Sequence, residues 1–122
     1  MFKLKENMAL EFENEIEIIE VMEGYLIEAR PPEKIRSQVD IAYKIEGQSI
    51  IVFEIRPHWQ NPEEKIECFV AKATYIKKDA VWKIFWFMSD MEWHNYKPAP
   101  KVKTLKEFVA IIEEDKHSCF WG

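Results

Sequence analysis

Glycine is scarce in this chain, with three residues among 122. That scarcity excludes a glycine-rich phosphate loop, whose closely spaced glycines let backbone N–H groups approach an anion. Cysteine is scarcer still. Cys68 and Cys119 are the whole supply, which excludes a disulfide framework and leads us to expect reduced thiols. His58, His94 and His117 lie far apart, and no histidine or cysteine pair has C-x-x-C or H-x-x-x-H spacing. No metal site and no cofactor are therefore expected. Ser37, Ser49, Ser89 and Ser118 lack the context of a nucleophile elbow. Cys119 sits two residues from His117, a separation that fixes no thiol–imidazole geometry, so no catalytic residue is assigned. No apolar run approaches a membrane span, and the N-terminus lacks the apolar segment of a secretory signal. A cytoplasmic protein with no membrane partner is the expectation. Positive charge is also short. Seventeen Lys and Arg face 22 Asp and Glu, a net charge of −5, the wrong sign for a dedicated nucleic-acid binder.

Aromatic residues, in contrast, are plentiful at 14% of the chain. They concentrate in Val81–Tyr96, which holds Trp82, Trp86 and Trp93 together with Phe85, Phe87 and Tyr96. Aromatic side chains bring the largest apolar area per residue, so this stretch is expected at the middle of a core. It reads as a strand, a turn at Ser89-Asp90 and a second strand. A chain of 122 residues suits one domain, 1–122, and a domain this size buries roughly two-thirds of the surface of its unfolded chain. Charge is unevenly spread. Residues 1–35 hold nine acids and four bases, which accounts for the whole net charge, whereas residues 72–106 hold eight lysines and three acids.

The periodicity gives an order of elements. Residues 1–10 are read as a flexible arm. From Leu10 to Ala29 the apolar positions Phe12, Ile16, Ile19, Met22, Leu26 and Ala29 recur every three or four residues, a helix stripe widened by Ile18 and Tyr25. Pro31-Pro32 stops it. Val39–Ile45 alternates as a strand, Glu46-Gly47 is a hairpin turn, and Ser49–Arg56 returns with Ile51, Phe53 and Ile55 expected on the core face. Pro57 ends that strand. Ile66–Lys77 is a third strand, and the aromatic hairpin comes next. Lys97–Lys103 reads as an extended linker. Thr104, with Glu107 three residues on, signals a capping box that opens a second helix. The fold class is α+β: an antiparallel four- to five-stranded meander flanked by an N-terminal and a C-terminal helix, in two layers.

Four stretches in this order, Glu54-x-Arg56-Pro57-x-Trp59, Trp82-x-x-Phe85-Trp86, Trp93-x-x-Tyr96-x-Pro98 and Cys119-Phe120-Trp121-Gly122, together resemble the bacterial domain of unknown function DUF3024. The resemblance runs from about Arg30 to the C-terminus. It implies a small single-domain bacterial protein and brings no activity, cofactor or catalytic residue with it.

Two constellations stand out. Glu54 and Arg56 share one strand face, and Trp59 lies three residues beyond. With Trp82, Trp86 and Trp93 they form a candidate ligand site, a charged pocket with aromatic walls in which Arg56 holds a carboxylate or phosphate. The structural alternative is an ion pair that pins the loop. Phe85 and Phe87, beside Ile50 and Val52 of the neighbouring strand, form a candidate interface, because exposed apolar patches mark association sites. The terminal Cys119-Phe120-Trp121-Gly122 is expected to tuck its aromatics into the core, with a docking tail as the alternative. The expected role is a non-catalytic binding or scaffolding module, with a protein, a small molecule or a second copy as partner. The alternatives are single-stranded nucleic acid on the aromatic sheet and an enzyme of unknown reaction.

Overall fold

The computed structural model describes residues 12–121, so the expectations for residues 1–10 and for a helix start at Leu10 lie outside the described residues. Helix α1 spans Phe12–Ala29 and leads into a 3-10 turn, Glu33–Ile35. The strands are β1 (Asp40–Glu46), β2 (Ser49–Pro57), β3 (Lys65–Ile76), β4 (Val81–Phe87), β5 (Trp93–Asn95) and β6 (Lys101–Val102), and helix α2 is Leu105–Glu114. The sheet is antiparallel in the order β1-β2-β3-β4-β5, with β6 also on β4. The expected α+β architecture is the one observed. The linker before α2 departs from expectation, because Val102 pairs with Trp82 and Lys101 with Lys83, making a sixth short strand.

Both helices cover one face of the sheet. Ile18, Met22 and Tyr25 of α1 and Leu105, Phe108 and Ile112 of α2 share a buried cluster with Ile50, Val52, Ala71, Ala73, Trp82 and Ile84. Ala71 and Ala73 are fully buried, and small side chains there let the helices approach the strands. The α1 stripe is rotated from its expected position. Ile18 and Met22 are fully buried, whereas Ile16 and Ile19 are 43% and 57% exposed. With isoleucine at 16, 18 and 19, apolar spacing alone cannot choose the angle of the stripe.

The core face of β2 is also corrected. Ile50 and Val52 lie under the helices, and Ile51, Phe53 and Ile55 point the other way. Both faces of β2 are apolar, so alternation supplies no direction. The pairing supplies it: Val52 lies opposite Tyr43 and Ala71, both on the helix side.

A β-bulge in β3 decides which face Phe69 joins. Val52 pairs with Ala71, but Phe53 pairs with Phe69, so Val70 is the extra residue. Val70 and Ala71 both join the helix-side core. Strict alternation would send Phe69 to the helix side, and the extra residue returns it to the opposite face.

The helix ends are tied down by polar contacts. Arg30 donates from Nε to Asp40 Oδ1 at 2.9 Å and from Nη2 to Oδ2 at 2.7 Å, fixing the end of α1 to the first residue of β1. These hydrogen bonds, first among several causes, hold the Asp40 carboxyl below its usual range. Thr104 Oγ1 accepts from Glu107 N–H at 3.3 Å, the expected N-cap. The Glu107 carboxylate takes the Thr104 hydroxyl at 3.2 Å. Glu17 accepts from Leu105 N–H at 3.4 Å, which puts negative charge at the start of α2, where the helix dipole favours it.

Of the tail's two aromatics Phe120 enters the core as expected, whereas Trp121 stays 36% exposed. Asp115 ends α2 with φ 43°, a left-handed position that Asp tolerates. Its carboxylate accepts from Phe120 N–H at 3.1 Å and Trp121 N–H at 3.0 Å. Phe120 is buried against Tyr96 at 4.9 Å between ring centroids. The Trp121 indole donates to the Ile112 carbonyl at 2.8 Å.

Candidate functional site

No described helix packs on the second face of the sheet, and the strand register orders its side chains into rows. Opposed residues of an antiparallel pair point to the same side. One row runs Ala42–Phe53–Phe69 across β1 to β3 and continues through Phe87 and Trp93 on β4 and β5. The rings touch. Phe69 and Phe87 are edge-to-face at 5.3 Å, Phe87 and Trp93 edge-to-face at 5.0 Å, and Phe69 stacks on Trp93 at 5.7 Å with 19° between planes. The ring quadrupole favours such geometries.

The next row runs Lys44–Ile51–Lys72–Phe85–Asn95. Its lysines lie over the rings. Lys44 Nζ is 5.5 Å from the Phe53 centroid and 5.1 Å from Phe69, and Lys72 Nζ is 4.8 Å from Phe85 and 4.9 Å from Trp93. These are cation–π distances. The third row runs Glu46–Ser49–Thr74–Lys83–Lys101, with the Ser49 and Thr74 hydroxyls joined at 2.7 Å.

The two lysines that cap the rings differ electrostatically. Lys44 pairs with Glu67 at 2.7 Å and Glu46 at 3.2 Å, and these hydrogen bonds raise its pKa. Among the described residues, Lys72, Lys83 and Lys101 make no ion pair. Burial lowers the Lys72 pKa, the distant Glu46 opposing it only in part. Around the rings, Glu46 and Glu67 pair with Lys44, and among the described residues Lys72, Lys83 and Lys101 are left without an ion pair. The acids of α1 lie on the opposite side of the sheet, so the net charge of −5 conceals a basic face.

The six candidate ligand residues do not share one surface. Trp82 is 1% exposed within the core beneath the helices. Trp86 pairs with His94 and packs against that same core, whereas Trp93 belongs to the ring row on the far side. Glu54 and Arg56 lie along β2 on the side of Val52. They pair with each other at 3.0 Å, partly exposed, which is the ion pair of the structural alternative. Trp59 is 81% exposed, and its ring contact is with His58. The candidate interface divides likewise. Phe85 and Phe87 are on the uncovered face, but Ile50 and Val52 are fully buried on the helix side. The register puts the four residues on both sides of one sheet.

Alternation in β1 puts Lys44 on the face opposite Ile41 and Tyr43, where it lies, but sequence pattern did not identify Phe53 and Phe69 as members of the uncovered face. The signal for Phe53 was its alternation with Val52. Phe69 had none, since the Val70 bulge leaves no mark in the pattern. Asp90, Glu92 and His94 were also missed. Their ligand atoms all lie within 4.8 Å of one another at an exposed hairpin turn, and the signal was their every-other spacing. Asp90 Oδ2 and His94 Nε2 are hydrogen-bonded at 2.7 Å, which holds the Asp90 carboxyl below its usual range.

The remaining histidines serve local structure. His58 Nδ1 accepts from the loop N–H groups of Gln60 and Asn61, and His117 lies against Tyr96. A cleft of about 360 Å³ at the helix ends is lined by Tyr25, Glu28, Ala29, Ile41, Glu113 and Trp121. None of these is a histidine, cysteine or serine. No described helix is long and apolar enough to cross a membrane.

Comparison with known proteins gives one result. The family described as Domain of unknown function (DUF3024) matches residues 10–122, which extends the resemblance back through α1. No curated protein and no solved structure matches the chain.

Proposed function

Since the chain belongs to the DUF3024 family, a domain of unknown function, its role has to be read from its own surfaces, and we propose that it is a non-catalytic binding module working through the helix-free face of its sheet. One observation carries this reading: a row of partly exposed rings, Phe69, Phe87 and Trp93, lies beside a row containing Lys72, a cation that makes no ion pair among the described residues. Apolar rings at a surface are stabilised by being covered, and a desolvated ammonium by an anion. A partner that supplies a flat apolar group and negative charge together satisfies both.

A second copy is the other occupant to consider, because sheet faces pair in many dimers. An isologous contact brings each patch against itself. Here it would set the Lys72, Lys83 and Lys101 rows near their own duplicates, and like charges in a desolvated contact are costly. The anionic partner is the better fit.

The test is calorimetric titration of the 122-residue protein with two anionic probes, a dodeca-glutamate peptide and a twelve-nucleotide oligothymidylate, at low salt. Binding of at least one probe is expected, with a loss of tenfold or more in Lys72→Glu/Lys83→Glu. Absence of binding by both probes, or binding that the charge reversals leave intact, overturns the reading.

A further inference from the structure

Resting on that reading of the uncovered face, we infer that its occupant is single-stranded nucleic acid, laid across the strands with bases on the ring row and phosphates along the lysines. The register supports the placement. Phe53 opposes Phe69 and Phe87 opposes Trp93, so one ring row crosses four adjacent strands, with its three partly exposed rings on the last three. Phe53 is 5% exposed and buttresses the row from below, so the accessible rings are Phe69, Phe87 and Trp93; with neighbouring strands about 4.8 Å apart they make a track of roughly 10 Å, enough for about two bases on a sheet surface. Two residues further along the strands, roughly 7 Å away, runs the row with Lys44 and Lys72, and beyond it the row with Lys83 and Lys101. A nucleotide whose base lies over a ring carries its phosphate to one side, where these ammonium groups are.

The lysine caps are compatible with this arrangement. Lys72 Nζ now sits 4.8 Å from the Phe85 centroid and 4.9 Å from Trp93. Its four-carbon stem lets the ammonium swing from ring to phosphate while a base takes its place on the ring. An acidic peptide would answer the lysines but brings no flat group for the ring row. Every nucleobase has a π-face, so stacking tolerates any sequence. The net charge of −5 does not oppose this inference, because Lys72, Lys83 and Lys101 sit on one side of the sheet and the acids of α1 on the other.

The experiment is fluorescence anisotropy of the full chain with fluorescein-labelled twelve-nucleotide oligothymidylate and oligouridylate, over a salt series, with the labelled dodeca-glutamate peptide in parallel. The expected result is binding of at least one oligonucleotide, more tightly than the peptide. Each neutralised phosphate contributes roughly 0.7 to the log–log salt slope for single strands. Lys72→Gln/Lys83→Gln should therefore lower the slope by roughly 1.4 and weaken binding tenfold or more. Lys106→Gln on exposed α2 makes the same kind of charge change away from the face and should leave affinity unchanged. Trp93→Leu, in the ring row, should weaken binding severalfold, and Phe87→Leu gives the same readout should that variant fail to fold. Peptide binding without oligonucleotide binding overturns this inference while leaving the binding-module reading intact. Silence from every probe overturns both. A wild-type dimer in sedimentation that Lys72→Glu alters would assign the face to self-association and also overturns the inference.

Discussion

The two faces of this sheet use apolar residues in opposite ways. Under the helices, β3 presents Ala71 and Ala73, and the large residues Trp82 and Phe108 are shut away from solvent. On the other face, β3 presents Phe69 and Lys72, and the rings cover one another and are capped by lysine stems. Small residues belong where a helix must come close. Large rings belong where nothing described comes to cover them, and there they form a self-supporting surface. One face is built for stability. The other retains a lysine whose charge burial disfavours, and this contrast is what motivates reading that face as a contact surface.

Truncation should separate the faces most sharply. Phe108→Ala should cost about 3–5 kcal/mol, since Phe108 is fully buried in the helix-side cluster. Phe85→Ala should cost under about 2 kcal/mol, because only part of its surface is withdrawn from water. Urea denaturation of both variants measures this, and equal losses would contradict the division. Overpacking comes next. Ala73→Leu, under the helices, should destabilise by about 1–3 kcal/mol. Thr74→Leu, one residue along on the open face, meets no helix and should cost about 1 kcal/mol, that of its lost hydroxyl bond to Ser49.

Asp40→Asn should cost about 1–2 kcal/mol, because it removes a charge-assisted pair on a partly exposed arginine. The pH dependence has a definite sign. Arg30 lowers the Asp40 pKa in the folded state, so this stability is complete above the ordinary carboxylate value of 3.8 and is lost as pH falls through the folded value. The wild type should therefore lose stability below about pH 4 more steeply than the variant. Lys72→Met should leave stability unchanged or raise it. Burial depresses the Lys72 pKa, so its charged form opposes folding at neutral pH, and the penalty is relieved as pH rises through the depressed value. A clear loss of melting temperature in Lys72→Met would mean the lysine is there for the fold. Smallest of all, Arg56→Ala should change stability by less than about 1 kcal/mol, because its pair with Glu54 is partly exposed.

Much of the architecture was legible in the sequence. Alternation in β1, the Glu46-Gly47 turn, the proline stops and the Thr104 cap each have a local cause, and each element is where its cause puts it. The faces were less legible, for identifiable reasons. β2 is apolar at 50 through 53, so its orientation depends on register with β1 and β3, information that local pattern does not hold. The Val70 bulge moves Phe69 across the sheet, and only pairing with Phe53 shows it. In α1, Ile16 and Ile19 compete with Ile18 for the buried angle, and the competition is settled by contacts with α2 and the sheet. Net charge averages the acidic helix with the basic face, and it is the segment counts, nine acids to four bases in residues 1–35 and eight lysines to three acids in residues 72–106, that separate them. The family, in contrast, was recognisable from residues scattered through core and loop, because motif spacing survives without knowledge of which way a side chain points.

The five tryptophans offer the most direct test of the central claim, since Trp93 alone among them lies on the ring row. Indole ¹⁵N–¹H signals should be followed while twelve-nucleotide oligothymidylate is added at low salt. If the uncovered face binds single-stranded nucleic acid, the Trp93 signal shifts with saturation while the signals of buried Trp82 and of Trp121 at the end of the chain stay in place. Movement of the Trp121 or Trp59 signals with Trp93 unmoved, or no movement at all, would contradict it.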